Sequence, residues 1–404
     1  MSDSFGRPVR IAMVAGEASG DLIGAHLLRS LQARIPALQA FGVGGPGMTG
    51  AGFESWYPME QMAVRGYVEV LKSLPKLLRM RRALKERLIA SAPDLFVGID
   101  SPDFNLDLEI ALRRRGIRTV HYVSPSLWAW RGERIHKMKR AAEKVLVLFP
   151  FELPIYERAG IPVAYVGHPL ADELPLVPDR EAAREQLRVP KGAAVAALLP
   201  GSRQSEVREM GELMIATAKL VCKQVPNVHF LVPLASRETR LIFEGMQYRA
   251  QGEDLPLTIL YGHAHDAMTA ADAVLVASGT ATLEAALLKR PMVITYRMPA
   301  ASAWIMRRKA YLPYVGLPNI LAGEFIVPEM LLEEAIPENL AQALSNLLMD
   351  KDARVRLERR FLLMHRSLRQ NTAERAVEAI LPLLGSGVVA ASSARAAVEQ
   401  GART

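Results

Sequence analysis

The sequence predicts an α/β protein made of two Rossmann-like domains, and three observations carry that expectation. The chain has 404 residues, more than one ordinary core serves and suited to two domains of about 150–200 residues each. Short apolar, β-branched runs alternate with longer amphipathic segments from end to end, the pattern of parallel sheets covered by helices. The alternation breaks near 170–190 and then restarts. A content of 50% hydrophobic and 23% charged residues excludes a disordered chain and a coiled coil.

In the first half the expected strands are VRIAMVAG (9–16), LFVGIDSP (95–102), RTVHYVSP (118–125) and KVLVLFP (144–150). LVPDREAAREQLRVPKG (176–192), polar and punctuated by prolines, reads as the joint between domains. The second set of strands is AVAALLPG (194–201), VHFLVPL (228–234), LTILYG (257–262), AVLVAS (273–278) and PMVITY (291–296). Ligands of such sheets sit beyond the C-terminal ends of the strands, so the expected site is a cleft between the domains. After about residue 337 the chain reads as helical. The expected boundaries are therefore 1–175, 176–337, C-terminal helices over 338–385 that pack at least partly back on the first domain, and a disordered small-residue tail over 386–404.

Fifty Lys and Arg against 42 Asp and Glu leave a charge of +8, which favours anionic partners without choosing among nucleic acid, phosphorylated metabolites and acidic lipid. The single cysteine, Cys222, makes no internal disulfide, so a reducing cytoplasm is expected. No stretch has the apolar run of a signal peptide or a membrane span.

Four turns stand where a strand hands over to a helix, the place where backbone N–H groups and the helix dipole favour an anion. The first, GEASGD, holds Glu17 and Ser19, with Ser19 or Asp21 available to cap the helix that follows. The second is LPGSR, in which Gly201 allows close backbone approach, Ser202 is a capping hydroxyl and Arg203 offers a planar fork for phosphate. The third, SGTATLE, pairs a turn at Ser278, Gly279 and Thr280 with Glu284 one turn into a helix, where a carboxylate can accept from a ribose diol. Two phosphate-type turns in the second domain, neither of them a GxGxxG motif, point to a nucleoside diphosphate rather than a dinucleotide. In the fourth, GIDSPDFN, Asp103 reads as the N-cap of a helix over 104–116, while Asp100 reads either as a carboxylate fixing loop amides or as a general base.

HYVSPSLWAWR (121–131) sets His121, Ser124, Trp128 and Trp130 in one strand and loop. Rings flanked by polar atoms suit a sugar face, although the tryptophans also read as core and His121 as a structural histidine. HExxH, paired Cys/His and nucleophile-elbow motifs are absent from the sequence.

With GEASGD, VGIDSPDFN, HYVSPSLWAWR, VGHPL, LPGSR, SGTATLEAALLKRPMV and LPNILAG in order, the chain resembles the lipid-A-disaccharide synthase family over about residues 9–380. The resemblance implies an inverting glycosyltransferase of GT-B-like architecture on the cytoplasmic face of the inner membrane, with no metal or other cofactor and no nucleic-acid partner. It implies that UDP-2,3-diacylglucosamine and 2,3-diacylglucosamine 1-phosphate (lipid X) are joined to lipid A disaccharide 1-phosphate with release of UDP. Motif by motif, it places Asp100 as the base, Arg203 on the phosphates, and Glu284 and Asn319 at the nucleotide. It further implies a homodimer with C-terminal exchange, for which Leu340, Leu344, Leu347, Leu348, Phe361, Leu362 and Leu363 supply apolar surface. The rival expectations are another UDP-sugar enzyme of the same architecture, such as a UDP-GlcNAc 2-epimerase or a soluble-acceptor transferase, and a non-catalytic nucleotide-sugar sensor on the membrane.

One segment speaks to the membrane directly. Residues 65–88 hold eight basic side chains between Arg65 and Arg87 against two acidic ones, a local 8 − 2 = +6. Interleaved are Val68, Leu71, Leu74, Leu77 and Leu78 at three- and four-residue spacing, with Pro75 expected in the first turn of a helix. Such a segment either packs its leucines on the first sheet or lays them into anionic inner-membrane lipid, and acylated substrates favour the second.

Overall fold

The structure, a computed structural model, describes residues 7–62, 67–128, 132–297 and 312–384, except for the side chains of 67–74. Trp130 and the tail 386–404 lie outside the described residues. The chain forms two α/β units, Met1–Pro169 with Arg369–Thr404, and Leu170–Leu368.

Unit 1 holds β1 (Val9–Ala15), β2 (Leu38–Gly44), β3 (Glu54–Pro58), β4 (Leu95–Ile99), β5 (Arg118–Tyr122), β6 (Lys144–Val147) and β7 (Val163–Tyr165), with α1 (Ala18–Arg34), α2 (Pro46–Gly50), α3 (Tyr67–Ser91), α4 (Pro102–Arg113), α5 (Ile135–Ala141) and α6 (Leu153–Arg158). The strands pair in the order β3-β2-β1-β4-β5-β6-β7. The described ladders are parallel. Alternate residues of β1 bury on opposite faces: Ile11, Met13 and Ala15 against α1, and Ala12 and Val14 against α3 and α4. A sheet covered on both sides needs such continuous apolar strands. The last helix, Thr372–Ile380, returns to this unit and adds Ala376, Val377 and Ile380 to the α1 side. Arg34 pairs with its Glu374 at 3.1 Å, and Lys144 Nζ donates to the Ala379 carbonyl at 2.9 Å.

Strands β2, β3 and β7 are absent from the sequence reading. In β2 the run LQAFGVG is broken by glycine, which argues against a strand. Gly42, at φ +140°, is required there because a Cβ would stand 2.1 Å from the Met13 carbonyl of β1.

Helix α3 also departs from expectation. It starts at Tyr67, so Pro75 is inside the helix and not in its first turn. Met80, Leu84 and Leu88 fill the core, and Leu77, half-buried, packs against them and not in an outward row with Leu78. Leu78 points outward, 45% exposed. The side chains of Val68, Leu71 and Leu74 lie outside the described residues. Among the described residues no helix is long and apolar enough to cross a membrane.

The chain enters unit 2 at α7 (Pro169–Glu173) and continues through α8 (Arg180–Gln186). The stretch read as a joint belongs to this unit: Asp179 caps α8 by accepting from Ala182 N–H at 2.9 Å. Arg180 and Arg184 of α8 both bind Asp272. Here β8 (Ala194–Leu199), β9 (Val228–Leu234), β10 (Leu257–Tyr261), β11 (Ala273–Ala277), β12 (Met292–Tyr296) and β13 (Glu329–Leu331) pair in the order β10-β9-β8-β11-β12-β13. Its crossing helices are α9 (Gln204–Gln224), α10 (Arg237–Arg249), α11 (Ala264–Ala270) and α12 (Ala281–Leu287). Helices Pro337–Met349 and Lys351–Leu368 close the unit and bury Leu340, Leu344, Leu347, Leu348 and Phe361 within it. Those five side chains cover their own unit, and of the apolar row proposed for exchange Leu363 stands out at 66% exposed.

Candidate active site

Each sheet reverses its winding once, between β1 and β4 in unit 1 and between β8 and β11 in unit 2. A crevice opens outside the strand ends at such a reversal, because the loops on either side leave in opposite directions. The four turns singled out from sequence are the loops that follow these four strands.

In unit 1 the loops after β1 and β4 touch: a Cβ on Gly16 would stand 2.5 Å from Ser101 Oγ. Asp100 and Ser101 both hold left-handed backbone, φ +51° and +46°, an uncommon state for residues with side chains and a reservoir of strain at functional sites. The turn is fastened without help from the Asp100 carboxylate. Asp100 N–H donates to Tyr122 O at 2.8 Å, and Asn105 Nδ2 donates to Asp100 O at 2.8 Å and also to Val14 and Ile99 carbonyls. Among the described residues no amide or side chain occupies that carboxylate, which is half-buried at the reversal. Of the two sequence readings, the loop-fixing one finds no hydrogen bond to support it.

The other unit-1 candidates separate. Ser101, not Asp103, is the N-cap residue of α4, and Asp103 stands in its first turn, 81% exposed and paired with Arg134. Glu17 and Ser19 are exposed on the β1 turn; Glu17 is the N-cap residue of α1 but makes no side-chain capping bond. Asp21 instead reaches across to α2, accepting from Gly45 and Gly47 N–H at 2.8 Å and Met48 N–H at 3.0 Å. His121 is removed from any ligand: fully buried, its Nδ1 lies 2.7 Å from the equally buried Glu109 Oε1. Ser124 and Trp128 remain half-exposed in the loop after β5. Ser124 Oγ lies 2.6 Å from Tyr156 Oη, and Trp128 meets Phe151 edge-on at 5.5 Å. Beneath them sits Glu152, which the sequence reading missed. It is 2% exposed, and burial pushes its carboxyl up to about 8 despite the hydrogen bond it accepts from the Phe149 amide at 3.1 Å.

In unit 2 the turns after β8 and β11 wall a cavity of about 1000 Å³ together with the loop after β10. Gly201, Ser202, Arg203, Ser278, Gly279, Thr280 and Glu284 all line it. One expectation changes: the Ser202 and Arg203 amides are not offered to a ligand, because both donate to Glu206 Oε2, at 3.0 and 3.1 Å. Gly201, at φ +121°, serves that bond, since a Cβ there would meet Glu206 Cβ at 2.5 Å. What the turn presents is the Arg203 guanidinium, 68% exposed and 3.4 Å from Glu206 Oε1. Thr282 likewise turns its hydroxyl inward to the Gly279 carbonyl at 2.8 Å.

Glu284 reaches the cavity wall as expected, and its Oε2 lies 3.0 Å from His265 Nε2. That hydrogen bond outweighs desolvation and holds the imidazole above its ordinary value. Asn319 has a different place. It is fully buried, donates to Val327 O and Glu329 Oε1, and accepts from the Ile326 and Val327 amides. With both ends of the amide engaged, it braces the turn before β13 and lies outside the cavity lining. Among the described residues no group of three or more His, Cys, Asp or Glu could hold a metal ion.

Known proteins resemble this chain at two depths. A solved calicheamicin glycosyltransferase covers 94% of this chain and 100% of its own at TM-score 0.60 and 16% identity. A putative UDP-N-acetylglucosamine 2-epimerase of Listeria monocytogenes covers 87% of this chain and 91% of its own at TM-score 0.61 and 12% identity. Similarity this remote shows the two-unit GT-B-like fold alone, which a transferase and a putative epimerase share. Sequence goes further. The lipid-A-disaccharide synthase of Methylobacillus flagellatus is 55% identical over 374 residues, 93% of this chain and 99% of its own. The profile described as Lipid-A-disaccharide synthetase matches residues 11–380, across both sheets and every turn discussed above, and so the chain belongs to the lipid-A-disaccharide synthetase family.

Proposed function

We propose that the chain transfers the sugar of UDP-2,3-diacylglucosamine to the 6-hydroxyl of 2,3-diacylglucosamine 1-phosphate, giving lipid A disaccharide 1-phosphate and UDP with inversion. Family membership supplies the substrates, and the observation that carries the chemistry is the unoccupied carboxylate of Asp100 at the unit-1 reversal. A carboxylate there takes the proton as the acceptor oxygen attacks the anomeric carbon from the face opposite the diphosphate. In unit 2, Glu284 accepts from the ribose and Arg203 meets the charge that grows on the leaving diphosphate. The turn at Ser278, Gly279 and Thr280 completes that wall. The reading includes no metal, so turnover in the presence of a chelator is part of it.

Incubating the purified protein with both acylated sugars and following products by mass spectrometry tests the reading. Disaccharide 1-phosphate and UDP in equal amounts are expected; epimerised UDP-sugar, or UDP bound without turnover, overturns it. The reading places the enzyme on the cytoplasmic face of the inner membrane, held through the basic segment 65–88 to anionic lipid. It also includes a homodimer with C-terminal exchange, and light scattering at micromolar concentration checks for twice the chain mass.

A further inference from the structure

Behind the Asp100 turn, α4 meets the unit-1 sheet through a polar row that the chemistry just described does not use. Asn105 and Glu109 stand one turn apart on that helix, and both are fully buried, as is His121 of β5. Asn105 Nδ2 donates to carbonyls of two strands and of the turn: Val14 O of β1 at 3.2 Å, Ile99 O of β4 at 3.3 Å and Asp100 O at 2.8 Å. Glu109 reaches one strand further, its Oε1 lying 2.7 Å from His121 Nδ1. The strand between them makes room. Gly98 of β4 pairs with His121 of β5, and a Cβ on Gly98 would stand 2.1 Å from Glu109 Oε1 and 3.1 Å from Asn105 Cβ.

Apolar side chains of similar volume would fill this space without the desolvation penalty. The polar row is also incompletely matched: among the described residues Asn105 Oδ1, Glu109 Oε2 and His121 Nε2 are buried with no hydrogen-bond partner, which costs stability. What the row supplies is placement, because hydrogen bonds are directional and apolar contact is not. Bonds to three neighbouring strands set the height and rotation of α4 on the sheet. That helix begins at Pro102, directly after the left-handed pair Asp100 and Ser101.

We propose that Asn105, Glu109 and His121 are positioning residues for Asp100, a polar lock between α4 and the sheet that holds the left-handed turn, and with it the base, in the geometry of attack. The proposal rests on the reading of Asp100 as the base and deepens it. All three side chains are shut away from ligand and act through the backbone of the turn. Such a lock lowers stability while it raises kcat, so the two separate on mutation.

The test is steady-state kinetics and melting of the full chain. Glu109→Met together with His121→Leu replaces the pair by apolar side chains of similar volume. This double variant is expected to melt at or above the parent temperature and to keep UDP affinity and both KM values, while kcat falls about 10–100-fold, the scale of a misplaced reacting group. Glu109→Gln, which keeps the shape and an oxygen for His121 Nδ1, should hold kcat close to the parent. In the Asp100→Asn background the double change should cost little more, because the group being positioned is gone. Should the double variant fail to fold, Asn105→Ala, which removes the three carbonyl bonds, decides by the same separation of kcat from KM. A parent kcat in the folded variant, a loss of kcat matched by equal rises in both KM values, or a full further loss on top of Asp100→Asn overturns the proposal. Near-parent turnover of Asp100→Asn alone overturns instead the reading of Asp100 as the base, and this inference with it.

Discussion

Asp100 and His265 illustrate what one position contributes. Asp100 sits in a turn whose donors are spent on carbonyls, its own N–H on Tyr122 O and those of Phe104 and Asn105 on Ser101 O, so none of these amides is left for its carboxylate. Replacing Asp100 by Asn keeps the shape and removes the base, so kcat should fall about 10²–10⁴-fold. UDP affinity, measured by calorimetry, should stay at the parent value, and near-normal turnover would remove Asp100 from the role. His265 is a question of sign. Glu284 raises its imidazole above the ordinary value, with Asp266 and Glu173 adding to the effect. A raised histidine stabilises the folded state below the unfolded value of about 6.5, and that gain disappears as pH rises through the folded value. His265→Gln should therefore lose more stability to urea at pH 5.5 than at pH 8.5; a loss of equal size at both would show that the pair carries no protonation linkage.

At the scale of elements, α3 is divided lengthwise. One face is committed to the core by Leu77, Met80, Leu84 and Leu88, while Leu78 and a set of cations, among them Lys76, Arg79 and Arg82, face out. Serine in place of Val68, Leu71, Leu74 and Leu78 is expected to abolish co-sedimentation with anionic vesicles and leave UDP binding intact. High salt should weaken parent binding without ending it, because apolar insertion is not screened. A serine variant that sediments like the parent would place the contact elsewhere. The strands that surround the site were legible because a sheet buried on both faces demands continuous apolar runs, and the turns because glycine, serine and acid follow those runs directly. Elsewhere the pattern fails for identifiable reasons. Close approach of β1 and β2 forces glycine into a strand at Gly42. Asp21 and Glu206 spend their carboxylates on amides 24 or more residues away in one case and three or four in the other, and spacing alone does not tell a cap from a ligand. Glu152 is not legible because FPFELP has the look of an apolar turn, and nothing in that string marks its acid as buried.

At the scale of the whole molecule, unit 1 is discontinuous, beginning the chain and receiving its last helix from the end. Helix Thr372–Ile380 and the turn after it give Ala376, Val377, Ile380 and Leu381 to a core whose other buried members come from the first half. Truncation before Arg369 should therefore destabilise unit 1 selectively, since each large buried aliphatic lost is worth roughly 1.5–3 kcal/mol. Calorimetry should show the unit-1 transition lowered and the unit-2 transition near its place, with UDP still bound; two unchanged transitions would mean the helix is dispensable. The same discontinuity sets a timetable on the ribosome. About 200 residues separate Pro169 from Arg369, so at about 5–20 residues per second the nascent first unit waits some 10–40 s for its final helix. Throughout that interval the apolar side of α1 that Val377 and Ile380 will cover is open to chaperones, and unit 2, contiguous in sequence, is free to complete its fold before the unit translated ahead of it.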